Sequence, residues 1–330
     1  MKTFITGGTS SIGRVLVQEL SKQGEALRLL VRKSSRLDGL ELPGVEFVDG
    51  DVTDARALRA GMEGCGRVTH LAAIVGHDLP EETWWRVNRD GTRLVLEAAR
   101  DTGVESMVQV SSIGVLGSTA PGELADESRP IDPVKHLNLY QKTKFAADEI
   151  GREFAARGLP VKIVYPTFGY GCSRAGSHPS MHEQTLLRMA SGKPVAVMGG
   201  GRNRLCLAYY KDTAAGIQLA HERGKPGEGY ILGGENLTFP EIWATIADLL
   251  GKPAPTRRIP VSILKTIAAL SRLLTGKSAF PPEFFEMIAS DWNYSSARAE
   301  RELGWKFHAF RDGIAETWAE YQELGWKQAK

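Results

Sequence analysis

Two residues four apart carry the most pointed chemistry in the sequence. Tyr140 and Lys144 lie in Tyr140-Gln141-Lys142-Thr143-Lys144, and a helix stacks such positions on one face. A phenol titrates near 10, too weak an acid to exchange protons rapidly at neutral pH. An ammonium about 4 Å away, at an effective dielectric near 20, favours the phenolate by roughly 4 kcal/mol, or up to about three pKa units. Ser112 closes the strand before this helix, where its hydroxyl would hold a carbonyl oxygen against the phenol. Ser112, Tyr140 and Lys144 are therefore the catalytic candidates, for proton transfer coupled to hydride transfer. The hydride needs a dinucleotide alongside, with Lys144 also on its nicotinamide ribose.

The chain offers a place for one. Thr6-Gly7-Gly8-Thr9-Ser10-Ser11-Ile12-Gly13 follows the first apolar run and opens the first helical one. Glycines there give a tight turn and let the backbone approach a pyrophosphate, whose charge the free N–H groups of the helix start stabilise. Gly7, Thr9, Ser10, Ser11, Ile12 and Gly13 are the candidates for that contact. The residue closing the second strand meets the adenosine ribose, and an acidic side chain there would accept from a free 2′-hydroxyl. This chain has Arg32 instead, followed by Lys33, Ser34, Ser35 and Arg36. A guanidinium pairs with a 2′-phosphate and hydroxyls donate to it, so Arg32, Lys33 and Ser35 favour NADP(H), with NAD(H) as the other possibility. Asp51 and Val52, after the third strand, would meet the adenine.

The elements that must position these residues alternate. Strand patterns at Lys2–Thr6, Ala26–Arg32, Val45–Val48, Arg67–Ala73, Ser106–Ser111 and Val161–Tyr165 are separated by helical ones at Ile12–Gln23, around Ala55–Met62, from about Trp84 to Asp101, and at Leu139–Arg157, except that Val45–Val48 follows Ala26–Arg32 after a Pro-Gly break. This predicts an α/β protein with a Rossmann-type doubly wound parallel sheet, the ligand lying outside the carboxyl ends of its strands. After Pro166 the pattern loosens, and residues 169–203 have the Gly, Pro, Ser and His content of a mobile binding region. From Phe239 onward helices are expected at Phe239–Leu250, Val261–Leu274, Ser295–Leu303 and Phe310–Glu323. The expected division is a cofactor domain of 1–166 plus about 204–224, and a smaller, mostly helical C-terminal substrate lobe of 167–203 and 225–330.

At this level the chain resembles the extended short-chain dehydrogenases/reductases, the epimerase/dehydratase superfamily, in its dihydroflavonol-reductase-like branch. Thr6, Gly7 and Gly13 fit the family's Thr-Gly-x-x-Gly-x-x-Gly, with Ser10 in place of the middle glycine. His70-Leu71-Ala72-Ala73 resembles its fourth-strand motif, and Asn88-Arg89-Asp90-Gly91-Thr92 its Asn-x-x-Gly-Thr. Ser111-Ser112-Ile113-Gly114-Val115-Leu116-Gly117 is similar to Ser-Ser-x-x-Val-Tyr-Gly, and Leu303-Gly304-Trp305 to the C-terminal signature. The resemblance implies cofactor contacts at Leu71, Ala72, Ala73, Asn88, Ser111, Pro166 and Thr167, with Ser112 rather than Ser111 catalytic. It also implies a homodimer through the helices beginning near Trp84 and Leu139.

Two chemistries follow from it: a reductase or dehydrogenase releasing NADP(H) or NAD(H), or a nucleotide-sugar epimerase or dehydratase that keeps NAD. Arg32 favours the first. The arginine that sugar-nucleotide members commonly place for the diphosphate falls here on Leu205, with Arg202 and Arg204 displaced beside it, which favours the first again. A catalytically silent NADP-binding regulator is a third reading, against which Ser112, Tyr140 and Lys144 all stand intact.

For the substrate, His136, His178 and His182 are candidates at the entrance, and Arg202 and Arg204 for an anionic group. The His178–His182 pair does not read as a metal site, since Pro179 disfavours a helix at His178 and no third ligand of suitable spacing follows. The expected partner is a medium-sized, partly apolar carbonyl or alcohol.

Composition narrows the rest. The 330 residues carry 41 Lys+Arg against 39 Asp+Glu, so no single-sign field recruits nucleic acid. Three separated cysteines and no leader sequence fit a cytoplasmic protein. No run reaches the roughly 18 apolar residues of a membrane span. Val261–Leu274 comes closest, and with Lys265, Ser271 and Arg272 interrupting it reads as a buried or groove-lining helix.

Overall fold

A computed structural model describes residues 1–75, 79–136, 138–172, 179–276, 278–280 and 282–326. The first half alternates as its hydrophobic periods require. Strand β1 is Thr3–Thr6, helix α1 Ser11–Lys22, β2 Leu27–Val31, β3 Val45–Asp49, α2 Ala55–Met62 and β4 Arg67–His70. A short α3 (Glu81–Trp84) runs through a π-helical turn, Trp85–Asp90, into α4 (Gly91–Asp101). Then come β5 (Ser106–Val110), α5 (Leu139–Ala156) and β6 (Val161–Pro166).

These strands form one parallel sheet whose sides are separately buried. Alternate residues point to opposite faces of a strand. Phe4, Leu30, Val68, Met107 and Ile163 pack on one side with α2, α4 and α5. Their neighbours Ile5, Leu29, Val31, Val108 and Val164 pack on the other with α1. Strand order reverses between β1 and β4, the switch point where such sheets open a crevice.

The second half departs from its expected layout in three ways. Residues 169–203 are not simply a loop region. They contribute to β7 (Phe168–Tyr170) and hold α6 (Met181–Ala190) and β8 (Val197–Met198). Ser180 caps α6 reciprocally with Glu183, a Ser-x-x-Glu signal present in the sequence. Next, β9 (Arg204–Tyr209) pairs with β7 and β11 (Asn236–Thr238) in a separate three-stranded sheet, not with the cofactor sheet. Last, β10 (Gly229–Leu232) is the seventh strand of the large sheet, paired with β6, although it lies beyond residue 225. It follows α7 (Tyr210–Arg223), which shares the core on the α1 side.

The remaining elements are α8 (Phe239–Leu249), β12 (Arg258–Ile259), which pairs with β8, α9 (Val261–Thr275), α10 (Pro282–Ala289) and α11 (Phe310–Glu323). The expected helix at Ser295–Leu303 is short and ends in a π-type turn over Ala299–Leu303. Its Leu303-Gly304-Trp305 is structural. Trp305 Nε1 donates to the Asp212 carbonyl at 2.8 Å, and Asp212 accepts from the backbone and ring of His308. Helix α9 is largely exposed rather than buried, with Leu264 and Ala268 of it buried and Val261 packed partly against the core. No helix among the described residues is long and apolar enough to cross a membrane. Cys65, Cys172 and Cys206 are buried and form no disulfide.

Candidate active site

A cleft of about 1100 Å³ opens over the carboxyl ends of the large sheet at its switch point. Its floor begins at Gly7, which is in the left-handed region at φ 74°. A β-carbon there would meet Ala72 N at 2.5 Å, and one at Gly13 would meet the Gly7 carbonyl oxygen at 2.3 Å. Both glycines are therefore needed to fold the turn tightly under α1. Ser10 caps α1, accepting from Gly13 N–H at 3.1 Å, and Ser10, Ser11 and Ile12 at the helix start line the cleft. Ser10 stands where the family pattern has glycine, and its hydroxyl is used for the cap.

The end expected to take the adenosine is built from two loops. Arg32, Ser35, Asp51 and Val52 line the cleft, and the Arg32 N–H is held by Ser35 Oγ at 3.0 Å. Asp51 accepts from the backbone and hydroxyl of Thr53. Beneath this loop lies a residue the sequence reading did not single out. Arg14, 1% exposed, donates to the carbonyls of Thr9 (3.1 Å), Asp38 (2.5 Å) and Arg36. It joins the glycine-rich turn to the basic loop.

Leu71, Ala72 and Ala73 form the middle of the cleft. Before them, His70 bridges Thr6 Oγ1 (2.7 Å) and Thr92 Oγ1 (2.9 Å). Burial pulls its pKa down to about 3, so the ring is neutral and serves structure. Asn88 does not line the cleft. Its side chain accepts from Ile74 N–H (2.7 Å) and donates to Ile74 O (3.2 Å), pinning the loop that does. Lys33 is exposed and also outside the cleft lining.

At the other end Ser111, Ser112, Tyr140, Lys144, Pro166 and Thr167 converge. Lys144 is buried and its Nζ donates to the Val110 carbonyl at 2.8 Å, which fastens α5 to the strand end carrying both serines. Burial lowers its pKa to about 8 against the opposing pull of Asp148, one turn along the helix. Ser112 Oγ accepts from Gly114 N–H at 3.1 Å. A β-carbon at Gly114 would stand 3.4 Å from Ser112 Oγ and 3.7 Å from the Tyr140 ring, so hydroxyl and phenol crowd the same glycine. Ser111 Oγ is buried with no protein partner. A free donor at this depth suits a polar ligand in the cleft, and with the glycine turn and helix start it fits a dinucleotide.

The substrate candidates fare differently. His136 is buried, its Nε2 donating to Val115 O at 2.9 Å, its ring against Phe145. His182 sits in the core among Tyr170, Trp243 and Phe310, with burial pulling its pKa to about 4. Neither lines the cleft. Arg202 and Arg204 border a separate recess of about 250 Å³ with Asp291 and Asn293, and Arg204 Nη1 is held by Asn236 O at 2.7 Å. His178 lies outside the described residues. The cleft wall is supplied instead by Ile74, Val75, Leu79, Thr83, Arg86 and Val87, which combine apolar surface with one cation. Among the described residues no His, Cys, Asp and Glu cluster could hold a metal ion.

Known proteins resemble this chain in sequence and fold. The profile of the NAD dependent epimerase/dehydratase family matches residues 3–233. Sterol demethylase protein B of Methylococcus capsulatus is 32% identical, with 98% of this chain and 99% of that protein covered. The 4-hydroxy-2-methyl-3-oxo-4-farnesyl-3,4-dihydroquinoline-1-oxide ketoreductase of Stigmatella aurantiaca is 28% identical, with 92% of each covered. Among solved structures, a dTDP-glucose 4,6-dehydratase from Streptomyces venezuelae, with NAD bound, is 26% identical at a TM-score of 0.80 over 99% of both chains.

Proposed function

The chain belongs to the NAD dependent epimerase/dehydratase family, and we propose that within it this protein is an NADP(H)-dependent reductase acting on the carbonyl, or in reverse the alcohol, of a medium-sized, partly apolar substrate. Arg32 carries the reading. It lines the adenosine end of the cleft where a 2′-hydroxyl would call for a carboxylate, with Ser35 beside it. The apolar wall Ile74, Val75 and Leu79 supports the substrate class. So do two relatives, one named as a sterol demethylase protein and one as a ketoreductase.

The dinucleotide, when bound, supplies or accepts the hydride at the substrate carbon. Ser112 donates to the substrate oxygen, since its own oxygen already accepts from Gly114 N–H. Tyr140 gives that oxygen its proton during reduction and takes it back during oxidation. Lys144, anchored on Val110 O, favours the phenolate and holds the nicotinamide ribose. A homodimer through α4 and α5 belongs to the same proposal.

Paired fluorescence titrations of nucleotide-free protein test the cofactor. NADPH should bind at least about tenfold tighter than NADH, roughly 1.4 kcal/mol. Equal or tighter binding of NADH, or NAD that stays bound through purification, overturns the reading in favour of nucleotide-sugar chemistry. Tyr140→Phe should remove most turnover with cofactor affinity nearly intact, and an equally active variant would sink the mechanism.

A further inference from the structure

Helix α5 carries a second charged residue one turn beyond Lys144. Asp148 follows it by four positions, which stacks the two side chains on one side of the helix. Both residues are buried, at 5% and 1% exposed. Lys144 Nζ donates to the Val110 carbonyl, a neutral partner that does not balance its charge. An ammonium buried without a countercharge is driven towards the neutral amine. Asp148 is the anion that acts against this.

The carboxylate is gripped through one oxygen. Asp148 Oδ2 accepts from Arg152 Nε at 2.9 Å, one further turn along α5, and from the Tyr165 hydroxyl on β6 at 3.2 Å. That hydroxyl accepts in turn from Arg152 Nη2 at 2.6 Å. Burial, and then Asp148 beside it, push the Tyr165 phenol up, so it keeps its proton and donates. Asp148 Oδ1, by contrast, is buried with no protein partner. An ion pair with Arg152 alone needs no such depth, because the Arg152 side chain is 43% exposed. A buried carboxylate oxygen without a donor is costly, and the neighbouring ammonium accounts for it. The other groups near the amine are the His70 ring on β4, which is neutral, and the Tyr140 phenol one turn back on α5.

We propose that Asp148 is a positioning residue for the reaction, its carboxylate holding Lys144 as the ammonium that Tyr140 and the nicotinamide ribose require. The inference deepens the reductase reading and rests on its assignment of Lys144. With Asp148 in place Lys144 titrates at about 8. Without that carboxylate the amine is neutral over more of the physiological range.

Two measurements test it, and one needs neither substrate nor dinucleotide. In nucleotide-free protein, the contribution of Lys144 is the stability difference between chains with Lys144 and with Lys144→Met. The pH at which that difference begins to rise should move down by about one unit when Asp148→Asn is added to both. Asparagine keeps the shape and an oxygen for Arg152 and Tyr165. In turnover, the alkaline limb of the Asp148→Asn variant should move down equally, lowering activity at pH 7.5 by about threefold, and Asp148→Glu should restore it. Arg152→Gln breaks the ion pair but leaves the charge on Asp148, so it should not lower the limb. Arg152 is partly exposed, so this variant folds and tests the proposal even where Asp148→Asn does not.

A stability difference unmoved by Asp148→Asn, or a limb lowered by Arg152→Gln as well, overturns the proposal. A stability difference that moves while the turnover limb stays overturns the catalytic assignment of Lys144, and with it the part of Asp148 in the reaction, while their coupling stands.

Discussion

Asn88 Nδ2 donates to Thr143 Oγ1 at 3.0 Å, joining the π-helical turn Trp85–Asp90 to the helix that carries Tyr140 and Lys144. The same side chain holds both backbone groups of Ile74, which lines the cleft. Asn88→Ala should therefore strip two backbone groups of Ile74 of their partners and loosen α5 at once. Leaving buried polar groups unpaired costs about 1–3 kcal/mol each, so a loss of roughly 2–6 kcal/mol is expected in urea unfolding, with turnover falling as well. Wild-type stability in this variant would show that the turn is held by packing instead.

Arg14 offers a test of how the adenosine loop is held. Its guanidinium spends its donors on backbone carbonyls from both sides of the loop, at Thr9, Arg36 and Asp38. Arg14→Met keeps much of the bulk and none of the bonds. The loop bearing Arg32 and Ser35 should then wander, weakening NADPH by about tenfold, or 1.4 kcal/mol, and NADH by clearly less. Arg14→Lys, which reaches a single carbonyl, should recover part of the difference. Equal weakening of both nucleotides would assign Arg14 to general stability.

Gly13 has no room for any side chain. An added methyl would lie 2.3 Å from the Gly7 carbonyl oxygen and 2.8 Å from Gly8 Cα, and backbone cannot swing aside as a side chain can. Gly13→Ala should force α1 away from the turn and abolish measurable dinucleotide binding by fluorescence titration. A variant that binds normally would show that the turn shifts without cost.

The contrast between these residues and the histidines shows what was legible. Gly7, Gly13, Tyr140 and Lys144 sit in local patterns whose spacing alone implies geometry, a turn before a helix or two side chains on one helical face. Strands β1 to β6 were legible for the same reason, each being a short run bounded by a helical pattern or, between β2 and β3, by a Pro-Gly break. His136 and His182 have no such local mark. Whether a histidine faces substrate or is satisfied in a core depends on Val115, Phe145, Tyr170 and Trp243, residues brought near by tertiary folding. Strand β10 was hidden likewise, because its place beside β6 depends on a crossover through α7 and not on its four residues. The α6 start at Ser180 was readable from its capping box, but the Gly, Pro and Ser content around it suggested a loop.

Lys144 makes the pH dependence testable. Its folded pKa of about 8 lies below the 10.5 of a free lysine, so the folded state prefers the neutral amine. Between those values the unfolded chain binds more protons, and stability rises with pH. The contribution is present in full above 10.5 and lost as pH falls through 8. Asp148 opposes the shift, the Val110 carbonyl accepts from the amine, and the neutral His70 ring lies within its electrostatic reach. Lys144→Met removes this dependence. The stability of nucleotide-free wild type minus that of the variant should therefore grow by up to about 3 kcal/mol from pH 7.5 to 10.5, measured by urea unfolding at each pH. In the proposed mechanism turnover should move the opposite way above pH 8, as the ammonium that favours the Tyr140 phenolate is lost. A stability difference that stays flat with pH would mean that Lys144 keeps its proton throughout, and the pH profile of turnover would then belong to another group.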